Sequence, residues 1–189
     1  MLRKKQKKNK KYPWVAVLSN GKQNKRIKVV KQYSFGEYIS KHGCSIAAIV
    51  EALEIYGINK SPYEINKYCR SHYKFNGSKV AIHGAYKTVK AISKKKPVYH
   101  DVKQNNKTNI RKIIKESLKA GKKVVIEQKN PIHTYVALGF ALNGKVVIAT
   151  SGQLKEVSLA WIMKTINIGD GSKADYFKGS KADAGIFII

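Results

Sequence analysis

Cysteine is nearly absent. Cys44 and Cys69 are the two in 189 residues, and their different sequence contexts argue against a disulfide-stapled secreted scaffold, leaving a free, reactive thiol open. Long apolar runs are missing too. Nothing approaches the ~18 residues of a membrane-spanning helix, and the basic start Met1 to Lys11 is not followed by the apolar stretch of a secretory signal. The chain therefore reads as soluble, unexported and cytoplasmic. Arginine is scarce as well: of 38 basic residues only Arg3, Arg26, Arg70 and Arg111 are arginine. Base-reading interfaces favour arginine forks and recognisable modules, and neither is visible, so no specific nucleic-acid partner is expected. What remains is a lysine-rich surface with a net charge of +27. A field of that size attracts polyanions, acidic peptides or an anionic membrane surface without sequence specificity at low salt.

The length suits one domain, and the 43% hydrophobic content is ordinary for a globular core. Residues 1–11 are almost entirely Lys, Asn and Gln after the first two, so a disordered basic arm is expected there, followed by a single domain over 12–189. Trp14 to Leu18 and Arg26 to Val30 are β-prone runs around the turn signal Ser19-Asn20-Gly21. Tyr33 to Gly43 reads as a loop. From Ser45 the apolar residues Ile46, Ile49, Val50, Leu53 and Tyr56 recur at helical spacing, with Gly57 as the stop, predicting a central buried helix. Ser61-Pro62-Tyr63-Glu64 carries a capping box that starts a second helix, running to about His72. Further helices are expected over Val80 to Ser93 and from Thr108 to Gly121.

After Gly121 the period changes. Val124 to Ile126, Ile132 to Phe140 and Lys145 to Ala149 predict strands, the last two joined by a hairpin at Asn143-Gly144. Trp161 to Ile166 reads as a short helix and Gly185 to Ile189 as a terminal strand. There is no internal repeat. Helices first and an antiparallel sheet afterwards define an α+β protein.

A helix N-terminus presents unpaired N–H groups and partial positive charge, which favour thiolate over thiol, and Cys44 stands at such a start, after Gly43. Alone, it would be an ordinary buried cysteine. The second feature is His133, far downstream, where Pro131-Ile132 opens a strand and the ring can project from a sheet edge. Together they are a candidate nucleophile and general base. Cys69, His72, His83 and His100 match no zinc-ligand spacing, so no metal or other cofactor is expected. His100-Asp101 are strand neighbours that point apart, and Gly169-Asp170-Gly171 is a turn.

Gly43-Cys44-Ser45-Ile46-Ala47-Ala48, ending at Tyr56-Gly57, and His133-Thr134-Tyr135-Val136-Ala137-Leu138-Gly139-Phe140 after a Gly-ended helix and a strand resemble the bacterial papain-like cysteine peptidases related to the double-glycine, bacteriocin-processing enzymes. The resemblance spans about Tyr33 to Ile166. It implies a papain-like α+β fold, hydrolysis of a peptide amide bond through a Cys44 thioester, and His133 as base. Two positions depart from the pattern. The family usually places Asp after the histidine hairpin to orient the imidazole, where this chain has Thr150-Ser151. With an even-numbered loop at Asn143-Gly144, Thr150 shares the His133 face and Ser151 does not, so Thr150 is the candidate orienter, and that face is expected to turn toward the start of the Cys44 helix. The family also has an oxyanion-donating glutamine about six residues before the cysteine; Tyr38 stands there, with Gln32 farther away. The oxyanion donors are therefore the Cys44 N–H and Tyr38. Against the peptidase stand a weakened or inactive papain-like fold that binds a peptide or polyanion, and a basic nucleic-acid-associated protein, which leaves the Gly43-Cys44 start unexplained.

Overall fold

The structure, a computed structural model, describes residues 14–19, 22–28, 43–72, 82–102, 106–129, 132–150, 152–166 and 185–189. The expected arm over 1–11, the loop from Tyr33 as far as residue 42 with Gln32 and Tyr38, Ser151 and the Gly169-Asp170-Gly171 turn lie outside the described residues. In chain order the elements are β1 (Trp14–Ser19), β2 (Lys22–Lys28), α1 (Cys44–Ile55), α2 (Pro62–His72), α3 (Ile82–Ser93), β3 (Val98–Asp101), α4 (Lys107–Lys119), β4 (Val124–Gln128), β5 (His133–Phe140), β6 (Val146–Thr150), β7 (Gln153–Val157), α5 (Leu159–Thr165) and β8 (Gly185–Ile188). β1 and β2 form an antiparallel hairpin that lies against β5 and α1. The other six strands form one antiparallel sheet in the order β3-β8-β4-β5-β6-β7.

Local chemistry sets the helix ends. In α2 the Ser61 N–H donates to Glu64 Oε2 at 2.7 Å and the Glu64 N–H to Ser61 Oγ at 3.2 Å, which is the capping box. α1 ends as the Gly57 N–H donates to the Glu54 carbonyl and the Ile58 N–H reaches back to Leu53. That closure needs φ of +80° at Gly57, a region glycine enters without a Cβ clash.

α1 is buried on all sides from Cys44 to Leu53, as the Ile46, Ile49, Val50 and Leu53 stripe requires, with Ala47, Ala48 and Ala52 letting neighbours close in on its other faces. It lies between α2 and α3 and the sheet face of Val125, Val136, Leu138, Ala149 and Phe187. The opposite face, with Ile126, Tyr135, Ala137 and Ile148, is covered by α4 and α5. Helices therefore cover both faces of an antiparallel sheet. Fully burying one side chain such as Leu53 stabilises the fold by about 2 kcal/mol.

The His133 hairpin has a three-residue loop, Leu142-Asn143-Gly144, where an even-numbered one was expected. The Ala141 N–H donates to the Lys145 carbonyl at 2.7 Å, the Gly144 N–H to the Ala141 carbonyl at 2.9 Å, and Gly144 takes φ of +76°. An odd loop sets odd residues opposite odd ones, Gly139 facing Val147. An irregularity between Ala137 and Gly139 then restores odd against even, with Ala137 opposite Ile148 and Val136 opposite Ala149. The two departures cancel, so Thr150 still shares the face of His133.

β8 enters the middle of the sheet, and Gly185 pairs with Asp101 of the edge strand β3. A Cβ at Gly185 would overlap the Tyr99 ring, which packs 4.9 Å from His83 and 5.4 Å from Tyr86. Displacing that ring costs about 1–3 kcal/mol, of which the stiffer unfolded chain of an alanine variant returns roughly half a kcal/mol. Gly185→Ala should accordingly lower the melting temperature by about 3 °C. In a Tyr99→Leu background the same change should cost clearly less, and equal losses in both backgrounds would show that Tyr99 is not the obstacle.

Candidate active site

Cys44 is the first residue of α1, with Gly43 as N-cap and no side chain bonded to the cap; the first intrahelical bond is Ala47 N–H to the Gly43 carbonyl at 2.8 Å. The Cys44, Ser45 and Ile46 N–H groups thus have no acceptor within the helix, and they carry its positive pole. Cys44 itself is 7% exposed.

Ser45 Oγ lies 3.0 Å from Thr134 Oγ1 in a buried hydrogen bond. Ser45 follows Cys44 and Thr134 follows His133, so the nucleophile and base candidates each stand one residue from the same contact. Neither partner was singled out in the sequence. The signal that could have found them is a small hydroxyl residue directly after each candidate.

His133 opens β5, opposite Gln128 of β4, and is half-buried. Its Nε2 is 2.5 Å from Oγ1 of Thr150, which is buried at the end of β6. Burial first, and then the positive charge of Lys155, hold the His133 imidazolium below the usual histidine range. Thr150 is where the sequence placed an orienter, and its hydroxyl touches the ring.

The expected orientation of that face needs correction. α1 packs on the side of Val136 and Leu138, and Thr134 is on this side with them. Strand alternation puts His133 and Thr150 with Tyr135, Ala137 and Ile148 on the α4 and α5 side. The reason is the parity of β5: the residue bonded to the first turn of α1 is Thr134, so its neighbour His133 alternates away. His133 is also the first residue of its strand, at the end of the sheet, next to the Thr134 that bonds the first turn of α1.

The remaining candidates are dispersed. Cys69 is buried in α2 with Sγ 3.6 Å from Thr88 Oγ1, and burial pushes its thiol up to about 11. His72 stacks on Tyr68 at 3.9 Å, His83 packs with Tyr86 and Tyr99, and His100 pairs with Ile186 across β3 and β8. No group of three or more potential ligands is gathered among the described residues. Nor is any helix among them long and apolar enough to cross a membrane.

Among solved structures, the peptidase domain of Streptococcus ComA, described as a bifunctional ABC transporter involved in a quorum sensing pathway, is similar at 14% identity with a TM-score of 0.49, over 79% of this chain and 90% of that one. No curated protein matches. The Peptidase_C39 like family matches residues 24–161, a span that holds α1, β5 and β6 with Cys44, His133 and Thr150. A match over more than half of the sequence establishes that this chain belongs to the Peptidase_C39 like family.

Proposed function

We propose that the protein is a cysteine peptidase that hydrolyses a peptide amide bond, with Cys44 as nucleophile, His133 as general base and Thr150 as the residue that positions the imidazole. The observation that carries this reading is the Ser45–Thr134 hydrogen bond, which holds the positive end of α1 at the start of β5. Because Thr150 engages Nε2, Nδ1 is the nitrogen assigned to the thiol proton. The thiolate attacks the carbonyl carbon and the oxyanion accepts from the Cys44 N–H, with the Tyr38 hydroxyl as the second proposed donor. The imidazolium then protonates the departing amine as the C–N bond breaks. Water, deprotonated by His133, hydrolyses the thioester, releases the acid and restores the thiol.

A second reading, a weakened or inactive papain-like fold that binds a peptide or polyanion, draws on Thr150 standing where the family places Asp and on the charge of +27. Iodoacetamide separates the two, with Cys69 as internal control. At pH 7 mass spectrometry should find Cys44 labelled well ahead of Cys69, whose thiol burial holds protonated. A Cys44 no faster than an ordinary exposed thiol would leave the binding-module reading in place.

A further inference from the structure

The face that carries His133 and Thr150 continues onto β7, the edge strand of the sheet. There Gln153 pairs with Thr150 and Lys155 with Ile148, so both alternate onto the His133 side. Both are exposed. The neighbouring carboxylates are turned elsewhere. Glu156 alternates to the opposite face and accepts from Asn143 Nδ2 at 2.8 Å, and Glu127 pairs with Thr134 on the α1 side, accepting from the Ile82 N–H at 3.3 Å. Lys155 makes no ion pair among the described residues. Among the described residues, the charge that this edge offers beside His133 is therefore an uncompensated ammonium.

We infer that Lys155 is a specificity-determining residue that selects an acidic peptide substrate, one with a carboxylate side chain close to the scissile bond. The inference rests on the peptidase reading and adds the substrate's chemical class to it. An ammonium on the face that carries His133 attracts a carboxylate within one Debye length, about 10 Å at 0.1 M salt, and the net charge of +27 adds a weaker background field. Burial first, and then the same ammonium, disfavour the imidazolium of His133. A bound carboxylate beside Lys155 would offset that effect, so an acidic substrate would ease the charge separation of the first step as well as dock.

The test compares an anionic and a neutral alkylating agent of the same size at Cys44. At low ionic strength the ratio of iodoacetate to iodoacetamide rates should fall about threefold in Lys155→Gln. It should change little in Lys67→Gln, which removes the same charge from exposed α2 on the other side of the sheet. The iodoacetamide rate alone should not fall in Lys155→Gln, because losing the nearby ammonium favours the imidazolium. A short alternating Glu/Ala peptide should protect Cys44 from iodoacetamide at lower concentration than its Gln/Ala counterpart, and Lys155→Gln should narrow that gap. A reactive Cys44 whose ratio ignores Lys155, or falls equally in Lys67→Gln, overturns this inference alone. A Cys44 no faster than an ordinary thiol with either reagent overturns it together with the peptidase reading.

Discussion

In the proposed mechanism, replacing His133 with Ala should slow the alkylation of Cys44 at pH 7 by about tenfold and abolish peptide cleavage. Two effects hold the Cys44 thiolate in the proposed mechanism, the positive end of α1 and the imidazolium that forms when His133 takes the proton. The first survives the substitution, because the N–H groups of Cys44, Ser45 and Ile46 remain in place. A helix terminus contributes about 0.3–1 kcal/mol, well under one decade in the thiolate equilibrium. The ion pair with the imidazolium supplies the larger part, and the substitution removes it. Cleavage suffers more, since the same ring protonates the leaving amine. Rates of iodoacetamide labelling of both proteins between pH 5 and 9 measure the loss directly. If the profile of Cys44 is the same with and without His133, the ring is not its base, and the assignment fails whatever the overall fold.

How much of this was legible in the sequence depended on how local the cause was. The Ser61-Pro62-Tyr63-Glu64 start of α2 and the Gly57 stop of α1 are decided within four residues, and both sit where the pattern put them. β7 was missed, and of β3 only His100-Asp101 was read as strand. Each is an edge strand with one partner, so it needs little apolar surface, and Gln153-Leu154-Lys155-Glu156-Val157 has no clean alternation. β4 and β5 are covered on both faces, which is why Val124 to Ile126 and Tyr135 to Leu138 read as continuous apolar runs.

The places of Cys44 at the start of α1 and of His133 at the start of β5 were readable from local signals, whereas Thr150 shares the His133 face only because a three-residue loop and an irregularity in β5 cancel. Ser45 and Thr134 were not readable, since their pairing is a tertiary contact between a helix start and a strand start. The orientation of His133 also lay beyond sequence reasoning. Parity placed His133 and Thr150 on one face, but which face meets α1 is settled only by the packing of Val136 and Leu138 under that helix. Tyr38 belongs to a stretch outside the described residues.

Thr150→Asp should raise the reactivity of Cys44 at pH 7 by between a few-fold and about tenfold. In the native chain Nε2 of His133 meets a neutral hydroxyl at 2.5 Å, and burial and Lys155 both disfavour the charged ring. A carboxylate at that position favours it, and an opposite charge this close moves a histidine pKa up by about 1–3 units, against a desolvation cost at a buried site that removes part of the gain. One unit corresponds to 1.36 kcal/mol, or about tenfold in the ion-pair population, which sets the upper end of the expected gain.

The stability of the two proteins should diverge with pH in a direction that tests the cause. With its folded pKa lowered, native His133 lends the fold stability at neutral pH that is lost as pH falls from about 6.5 toward the folded value. In Thr150→Asp the folded pKa is raised, so the contribution is fully present below about 6.5 and is lost as pH rises through the folded value. The melting temperature of the variant relative to the native protein should therefore be highest near pH 5.5 and decline toward pH 8. A faster Cys44 together with that slope would show that the hydroxyl of Thr150 is a weak orienter in a working peptidase. An unchanged Cys44 with the slope present would show that His133 gains its partner without driving the thiol, and would favour the binding-module reading.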